Sequence, residues 1–209
     1  MKTLNEYFKK IYCINLNSRA ERWENASQQF SKNQLEVKRY EAIDGKKINP
    51  VNGLKPGQLG CIMSHLNILK ECQENNVENV LITEDDVEFC DDLNSKFFEY
   101  EKELPEWDIL YLGANHALCN PYERNPPIKV TDHVYKVLHA YSTHAYAVNK
   151  SCYNVLIDHI SLMNDPLDVM YSQLQKYLKV YVFRPHLAWQ TNGYSDIMEE
   201  NVDYSFLKN

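Results

Sequence analysis

The chain has 209 residues, of which 44% are hydrophobic and 24% are charged. That composition is typical of a folded globular protein, and with only 6 glycines and 8 prolines it excludes collagen-like and low-complexity chains. The length predicts a single domain over residues 1–209. The 22 basic and 29 acidic residues give a net charge of −7. Because proteins that bind a phosphate backbone are usually basic, we expect no nucleic-acid partner.

The sequence also bears on where the protein works. Residues 1–6 do not open an apolar signal peptide, and no run approaches about 18 apolar residues. We therefore expect no transmembrane segment and a cytoplasmic location. The six cysteines show no C-x-x-C spacing, which predicts free thiols rather than a zinc ribbon.

Strands and helices are predicted to alternate along the chain. Segments rich in β-branched, aromatic or apolar side chains predict strands at residues 10–16, 37–42, 80–83, 107–113, 144–148 and 180–183. Apolar residues at helical spacing follow Ala20, Pro56, Tyr153 and Leu167. This alternation favours an α/β sandwich.

Capping signals mark the starts of two predicted helices. Ser18 and Glu21 match the S-x-x-E capping box, and Asp165 followed by Pro166 matches an N-cap residue with proline at the first helical position. Residues 114–136 show no clear period. We expect a mobile loop there that becomes ordered around a bound acceptor.

Three acidic residues, Glu84, Asp85 and Asp86, follow directly after the apolar strand at 80–83. In an extended backbone, residues 84 and 86 point to one side and residue 85 to the other. Ligands of α/β sheets bind at the carboxyl ends of strands, where two carboxylates suit Mg²⁺ or Mn²⁺ shared with a diphosphate. The alternative is an acidic strand end that enters a solvated loop.

Further candidates lie near helix starts. Asn15, Arg19 and Arg22 end the first strand and open the next helix, which predicts an anion site or, alternatively, a solvated helix face. Asp168 could serve as a general base for an acceptor hydroxyl, or could be an acidic residue that the helix dipole favours. His65 lies beside an apolar helical stripe, which favours a core or supporting histidine over a metal ligand. Serine-hydrolase, P-loop and dinucleotide-binding patterns do not occur.

Taken in order, these pieces resemble glycosyltransferase family 25, the lipooligosaccharide and procollagen galactosyltransferase-like enzymes. The resemblance extends from about residue 10 to 198. Its matching segments are 14–16, 19, 21–23, 41–45, 57–61 (GQLGC), 64–66 (SHL), 80–87 (VLITEDDV), 107–108, 112–113, 143–146, 167–168, 190 and 195–197. The resemblance implies a GT-A-like, Rossmann-like fold with a mixed sheet flanked by helices.

The same resemblance implies an inverting, metal-dependent transferase. It would move galactose or glucose from a UDP-sugar to a hydroxyl of a glycan or glycosylated protein, with Mn²⁺ or Mg²⁺ as cofactor. By resemblance, the site residues are Asp168 and Asp85 for catalysis; Asn15, Leu16, Arg19, Arg22, Glu84 and Asn192 for the donor; and Asp86, Glu84 and Gln190 for the metal. Related collagen-modifying transferases carry a histidine near the position of Gln190, so Gln190, His186 or water would complete the ligand set here.

Two other classes of function remain open from the sequence. One is an inactive relative that binds a nucleotide sugar or a protein partner without turnover. The other is a different metal enzyme acting on nucleotides, such as a nucleotidyltransferase or phosphohydrolase. The lack of a basic or glycine-rich phosphate loop in the sequence disfavours the second class.

Overall fold

The structure is a computed structural model that describes residues 2–116, 126–195, 197 and 200–208. Within these ranges the strands are β1 (Lys10–Asn15), β2 (Lys38–Glu41), β3 (Asn79–Glu84), β4 (Val87–Phe89), β5 (Ile109–Tyr111), β6 (Ile128–Lys129), β7 (Val134–Lys136), β8 (Ala145–Asn149), β9 (Val180–Phe183), β10 (Ala188–Gln190), β11 (Gly193–Ser195) and β12 (Glu200–Val202). The α-helices are α1 (Leu4–Tyr7), α2 (Ala20–Lys32), α3 (Pro56–Glu74), α4 (Leu93–Tyr100), α5 (Tyr153–Ile160) and α6 (Leu167–Gln175). Short 3₁₀ turns cover Gly45–Lys47, Glu101–Glu103, Lys150–Cys152 and Ser205–Lys208.

Eight strands form a mixed sheet in the order β2-β1-β3-β8-β5-β9-β7-β6. Strand β1 runs parallel to both β2 and β3, whereas β8 lies antiparallel between β3 and β5. Two small antiparallel pairs, β4 with β10 and β11 with β12, lie outside this sheet. The predicted α/β class, with a mixed sheet flanked by helices, is confirmed.

Apolar side chains cover both faces of the central sheet. In β3, Val80 and Ile82 join the core that α3, α5 and α6 complete, while Leu81 joins the core with Phe30 of α2 and Phe97 of α4. All three β3 side chains are fully buried. Burial on both faces explains why this strand reads as a continuous apolar run rather than an alternating one.

Both predicted helix caps are displaced by one residue. Arg19, not Ser18, occupies the N-cap position of α2, because its backbone N–H closes a turn on Leu16 O over 2.9 Å. Pro166, not Asp165, occupies the N-cap position of α6, and the Asp165 carboxylate instead accepts from Gln173 Nε2 over 3.1 Å. In both places the turn before the helix decides the boundary.

The segment predicted as a mobile loop, residues 114–136, is partly ordered. Strands β6 and β7 pair as a hairpin within it, so the expectation of a continuous loop is wrong for residues 128–136. The ring of His133 stacks on Tyr100 at 4.0 Å between centroids and fixes this hairpin to α4. Residues 117–125 lie outside the described part of the chain.

The described residues also bear on the predicted membrane topology and cysteine state. None of their helices combines the length and apolar character needed to cross a bilayer. Five cysteines are free thiols: Cys13, Cys61, Cys72, Cys90 and Cys152. Cys119 lies outside the described residues. The single domain over residues 1–209 and the cytoplasmic location stay predictions.

Candidate functional site

The candidate site lies at the carboxyl end of β3. Strand β3 ends at Glu84, the chain turns through Asp85 and Asp86, and β4 begins at Val87. Because β1 and β3 are parallel and adjacent, with Ile14 opposite Glu84, their carboxyl ends meet at one sheet edge. The sheet therefore brings Asn15 to the acidic tripeptide.

Asp85 is held by groups from β1 and α2. Asn15 Nδ2 donates to Asp85 Oδ2 over 2.7 Å, and Arg22 Nη1 donates to Asp85 Oδ1 over 2.9 Å. Arg39 Nε in turn donates to Asn15 Oδ1 over 2.9 Å, which orients the amide. Both oxygens of Asp85 thus bind structural partners, and its catalytic role stays a prediction.

Glu84 and Asp86 lie on the other side of the tripeptide and have weaker support. Thr143 Oγ1 donates to Glu84 Oε1 over 2.7 Å, and Gln190 Nε2 donates to Asp86 Oδ2 over 3.2 Å. Asp86 Oδ1 is buried and has no hydrogen-bond partner among the described residues. An orphaned carboxylate oxygen of this kind fits a hard cation, which prefers oxygen ligands.

The electrostatics of this pair agree with that fit. Burial raises the pKa of Glu84 to about 8, and the nearby charge of Asp86 adds to the effect. Burial also raises the pKa of Asp86 to about 6; the charge of Asp85 adds to the shift, while Arg22 and Gln190 oppose it. Asp86 makes no ion pair with a described side chain, and a divalent cation would supply the positive charge that lets both carboxylates ionise side by side.

Gln190 completes the predicted set of oxygen ligands. It lies on β10 opposite Val87 of β4, and its Oε1 is 3.5 Å from Ser142 Oγ. Gln190 thus contacts Asp86 directly, and the charge of Asp86 acts on Glu84. His186, the alternative ligand, instead donates from Nδ1 to Leu207 O over 3.0 Å.

Asp168 reaches the same region through the backbone of a tight turn. Its Oδ2 accepts from Ser142 N over 3.2 Å, and its Oδ1 accepts from Val169 N over 2.9 Å. Ser142 has a left-handed backbone, with φ of 76°. Because Ser142 also contacts Gln190, and Thr143 next to it contacts Glu84, this turn connects the proposed base to the metal-ligand residues.

The remaining donor candidates line the edge of the site. The Arg19 guanidinium lies 5.9 Å from the centre of the Tyr194 ring, and Arg22 Nη2 donates to Tyr194 O over 2.7 Å. Leu16 is partly exposed beside them. Asn192 is exposed and turns toward the C-terminal segment, where its Oδ1 accepts from Tyr204 N over 2.7 Å. The roles predicted for these residues stay predictions.

Sequence reasoning gave no role to Ser142, Thr143 or the partners of His65. Thr143 opens a segment that matches the family, which is the one signal that could have pointed to it. His65 Nδ1 lies 2.7 Å from Tyr146 OH, which lies 3.1 Å from Tyr171 OH. Burial lowers the pKa of His65 to about 3, so its imidazole is neutral.

Comparisons with known proteins agree on one family. The sequence profile of glycosyltransferase family 25 (LPS biosynthesis protein) matches residues 8–171. Procollagen galactosyltransferase 2 of Mus musculus is 26% identical over 165 residues, which are 68% of this chain and 26% of that protein. Probable inactive glycosyltransferase 25 family member 3 of Bos taurus is 26% identical over 165 residues, 68% of this chain and 27% of that protein. The chain thus spans about a quarter of the length of these relatives.

Among solved structures, one similar chain is a glycosyltransferase involved in the glycosylation of the major capsid of PBCV-1. It is 13% identical, with a TM-score of 0.43, and the match covers 75% of this chain and 66% of that one.

Proposed function

Because this chain belongs to glycosyltransferase family 25, we propose that it transfers galactose or glucose from a UDP-sugar to a hydroxyl of a glycan or glycosylated protein. The reaction would invert the anomeric centre and would use Mn²⁺ or Mg²⁺. The observation that carries the proposal is the buried, unpartnered Oδ1 of Asp86 beside a second carboxylate of raised pKa, Glu84.

The residues that would hold the cation are Asp86, Glu84 and Gln190. When bound, the cation would supply Lewis-acid stabilisation of the charge that develops on the leaving diphosphate. Asp85 would not need to be a ligand, since it already binds Asn15 and Arg22. Its role would be to fix the turn so that its two neighbours face the donor.

Asp168 would take the proton from the acceptor hydroxyl at one of its carboxylate oxygens. Two backbone N–H groups, from Ser142 and Val169, donate to its two oxygens and fix its orientation. One base and one displacement require no covalent intermediate, which agrees with inversion. Arg19 and Arg22, beside Tyr194, would bind the anionic donor with guanidinium groups.

A catalytically inactive relative is the second candidate, and the observation that favours it is the bovine relative named as probably inactive. Such a protein would bind a nucleotide sugar without turnover. The three carboxylates at residues 84–86 favour an active, cation-dependent enzyme, because a cluster of like charges is destabilising without a bound cation.

The test is a transfer assay with UDP-galactose and UDP-glucose, each with Mn²⁺, Mg²⁺ or a chelator. An oligosaccharide and a procollagen peptide serve as acceptors. We expect cation-dependent transfer from one donor. Donor binding in calorimetry without transfer to either acceptor, and without donor hydrolysis, would instead favour the inactive relative.

Asp168→Asn tests the base. We expect kcat to fall by about 10²–10⁴-fold, the usual contribution of general base catalysis, with donor affinity unchanged. The matched control is Asp165→Asn, at the same helix start, where the carboxylate accepts a hydrogen bond from Gln173. Equal activity of the two variants would contradict the general-base role and leave Asp168 with a structural role at the start of α6.

A further inference from the structure

A cluster of different chemistry lies on the α3 side of Glu84. Cys61 and His65 are four residues apart on α3, so they lie on one face of that helix. Cys61 Sγ, a ring nitrogen of His65 and a carboxylate oxygen of Glu84 all lie within 4.8 Å of one another. Three ligand atoms at this spacing need only small side-chain movements to meet a single metal ion at about 2.0–2.3 Å.

The contacts of His65 leave its Nε2 facing Cys61 and Glu84. Its Nδ1 pairs with Tyr146 OH, while its Nε2 is buried and has no hydrogen-bond partner among the described residues. Glu84 Oε1 is 3.8 Å from Nε2, beyond hydrogen-bond reach. If Nδ1–H donates to Tyr146, Nε2 presents a lone pair to Cys61 and Glu84, which is how metal-binding histidines are usually oriented.

The start of α3 is also fixed in place. Gly60, the residue before Cys61, packs directly on the backbone of the preceding turn, and a Cβ there would lie 2.4 Å from Ile43 O. Ser64 lies one helical turn after Gly60, and its Oγ accepts a hydrogen bond from Ile43 N over 2.8 Å. Cys61 and His65 therefore stand on a helix whose position is set before any metal binds.

We propose that Cys61, His65 and Glu84 form a second cation site that selects Zn²⁺ and shares Glu84 with the oxygen-ligand site. Thiolate and imidazole ligands favour Zn²⁺, whereas Mg²⁺ and Mn²⁺ favour oxygen ligands such as Asp86 and Gln190. Three protein ligands leave a fourth tetrahedral position open. The two sites cannot both have full use of the Glu84 carboxylate, since one of its oxygens already accepts from Thr143.

This sharing has a consequence that rests on the proposed function. Zn²⁺ would draw Glu84 toward α3 and away from Asp86, which removes one ligand from the donor cation. Zn²⁺ would then inhibit the Mn²⁺-dependent transfer, and removal of the Cys61 thiol would relieve the inhibition.

The site is tested without activity by Co²⁺, which replaces Zn²⁺ and gives a thiolate-to-cobalt charge-transfer band and tetrahedral visible bands. We expect one equivalent of Co²⁺ to produce both bands in the wild-type chain, and Zn²⁺ to displace it. Cys61→Ser should abolish the thiolate band and weaken Zn²⁺ binding by at least about tenfold. Asp86→Asn and Cys90→Ser should keep the band, because neither residue belongs to the cluster.

A second variant, Cys61→Ala, guards against a folding defect, and thermal melting without metal checks both variants. A wild-type chain that gives no thiolate band, or a band that survives both Cys61 variants, overturns the site. If the band behaves as expected but Zn²⁺ leaves Mn²⁺-dependent transfer unchanged, the sharing of Glu84 is wrong. Lack of transfer under every condition would contradict the proposed function and leave the cobalt result standing.

Discussion

The two sides of the acidic tripeptide show how one short segment can serve both structure and chemistry. Asp85 binds Asn15 and Arg22, so its negative charge has a fixed positive partner. Glu84 and Asp86 face the opposite side, receive single hydrogen bonds from neutral side chains, and have raised pKa values. A carboxylate with a cationic partner stabilises the fold. Two neighbouring carboxylates without such a partner repel each other, and a bound cation would relieve that repulsion.

The largest effect should come from Asp86→Asn. Loss of a direct ligand should lower kcat/KM for transfer by about 10²–10³-fold or more, because the developing diphosphate charge loses its cation. Stability should not fall, since the carboxylate that is removed has no positive partner. Calorimetric titration of Mn²⁺ into the protein in the presence of UDP measures the loss of Mn²⁺ affinity. Wild-type affinity for Mn²⁺ and UDP together would remove Asp86 from the ligand set.

Asp85→Asn should have the opposite profile and should mainly destabilise the fold. We expect the free energy of unfolding to fall by about 2–3 kcal/mol, less than for a fully buried pair, because the Arg22 side chain is 25% exposed. The control is Asp91→Asn, whose partner Lys32 and own side chain are both well exposed, and which should cost at most about 1 kcal/mol. Urea unfolding of the wild type and of the two variants measures these free energies. Equal stability of the Asp85 and Asp91 variants would contradict the division between the two sides.

The pH dependence of stability should also separate the two sides. Glu84 and Asp86 bind protons more tightly in the folded chain than in the unfolded chain, so their contribution is fully present below the unfolded pKa values. It is lost as pH rises toward the folded values of about 6 for Asp86 and about 8 for Glu84.

We therefore expect the metal-free wild-type chain to lose melting temperature between about pH 5 and 8 relative to a Glu84→Gln, Asp86→Asn double variant. Thermal melting in a chelator measures this difference at each pH. Added Mn²⁺ should restore more stability at pH 8 than at pH 5. A difference that stays constant with pH would show that these carboxyls are not perturbed.

The smallest effect should distinguish the two arginines near Tyr194. Arg19→Ala should raise the donor KM about fivefold, the equivalent of about 1 kcal/mol, with little change in melting temperature. Arg22→Ala should change both, because Arg22 also binds Asp85. Steady-state kinetics and melting curves of the two variants provide the comparison. An unchanged donor KM in the double alanine variant would make both residues structural or solvated.

The sequence predicted those features that local patterns encode. The apolar run at 80–83 predicts a buried strand, which β3 confirms. The extended backbone predicted for residues 84–86 is wrong, because the chain turns at Asp85 and Asp86. The different partners of Asp85 and Glu84 therefore come from that turn and not from strand alternation. Apolar periodicity predicted α2, α3, α5 and α6, although turn geometry moved two of the caps, and it did not predict α1 or α4. The roles of the site residues stay predictions.

What the sequence did not predict depends on long-range order. Thr143 reaches Glu84 only because β8 lies antiparallel beside β3, so its amino end meets the carboxyl end of β3. No local pattern encodes that neighbour. The hairpin at 128–136 was missed because its strands are short, and Ile128 and Lys129 are exposed, so neither carries an apolar alternation.

The sheet order has a consequence for the order of synthesis. Asp86 receives its hydrogen bond from Gln190, which is 104 residues later in the chain, and Arg22 donates to Tyr194, which is 172 residues later. A chain leaving the ribosome therefore carries its clustered carboxylates long before their last protein partners exist. Since contacts this distant in sequence form slowly, the site should be among the last regions to mature, and newly made chains should hold a cation poorly until β10 has docked on β4.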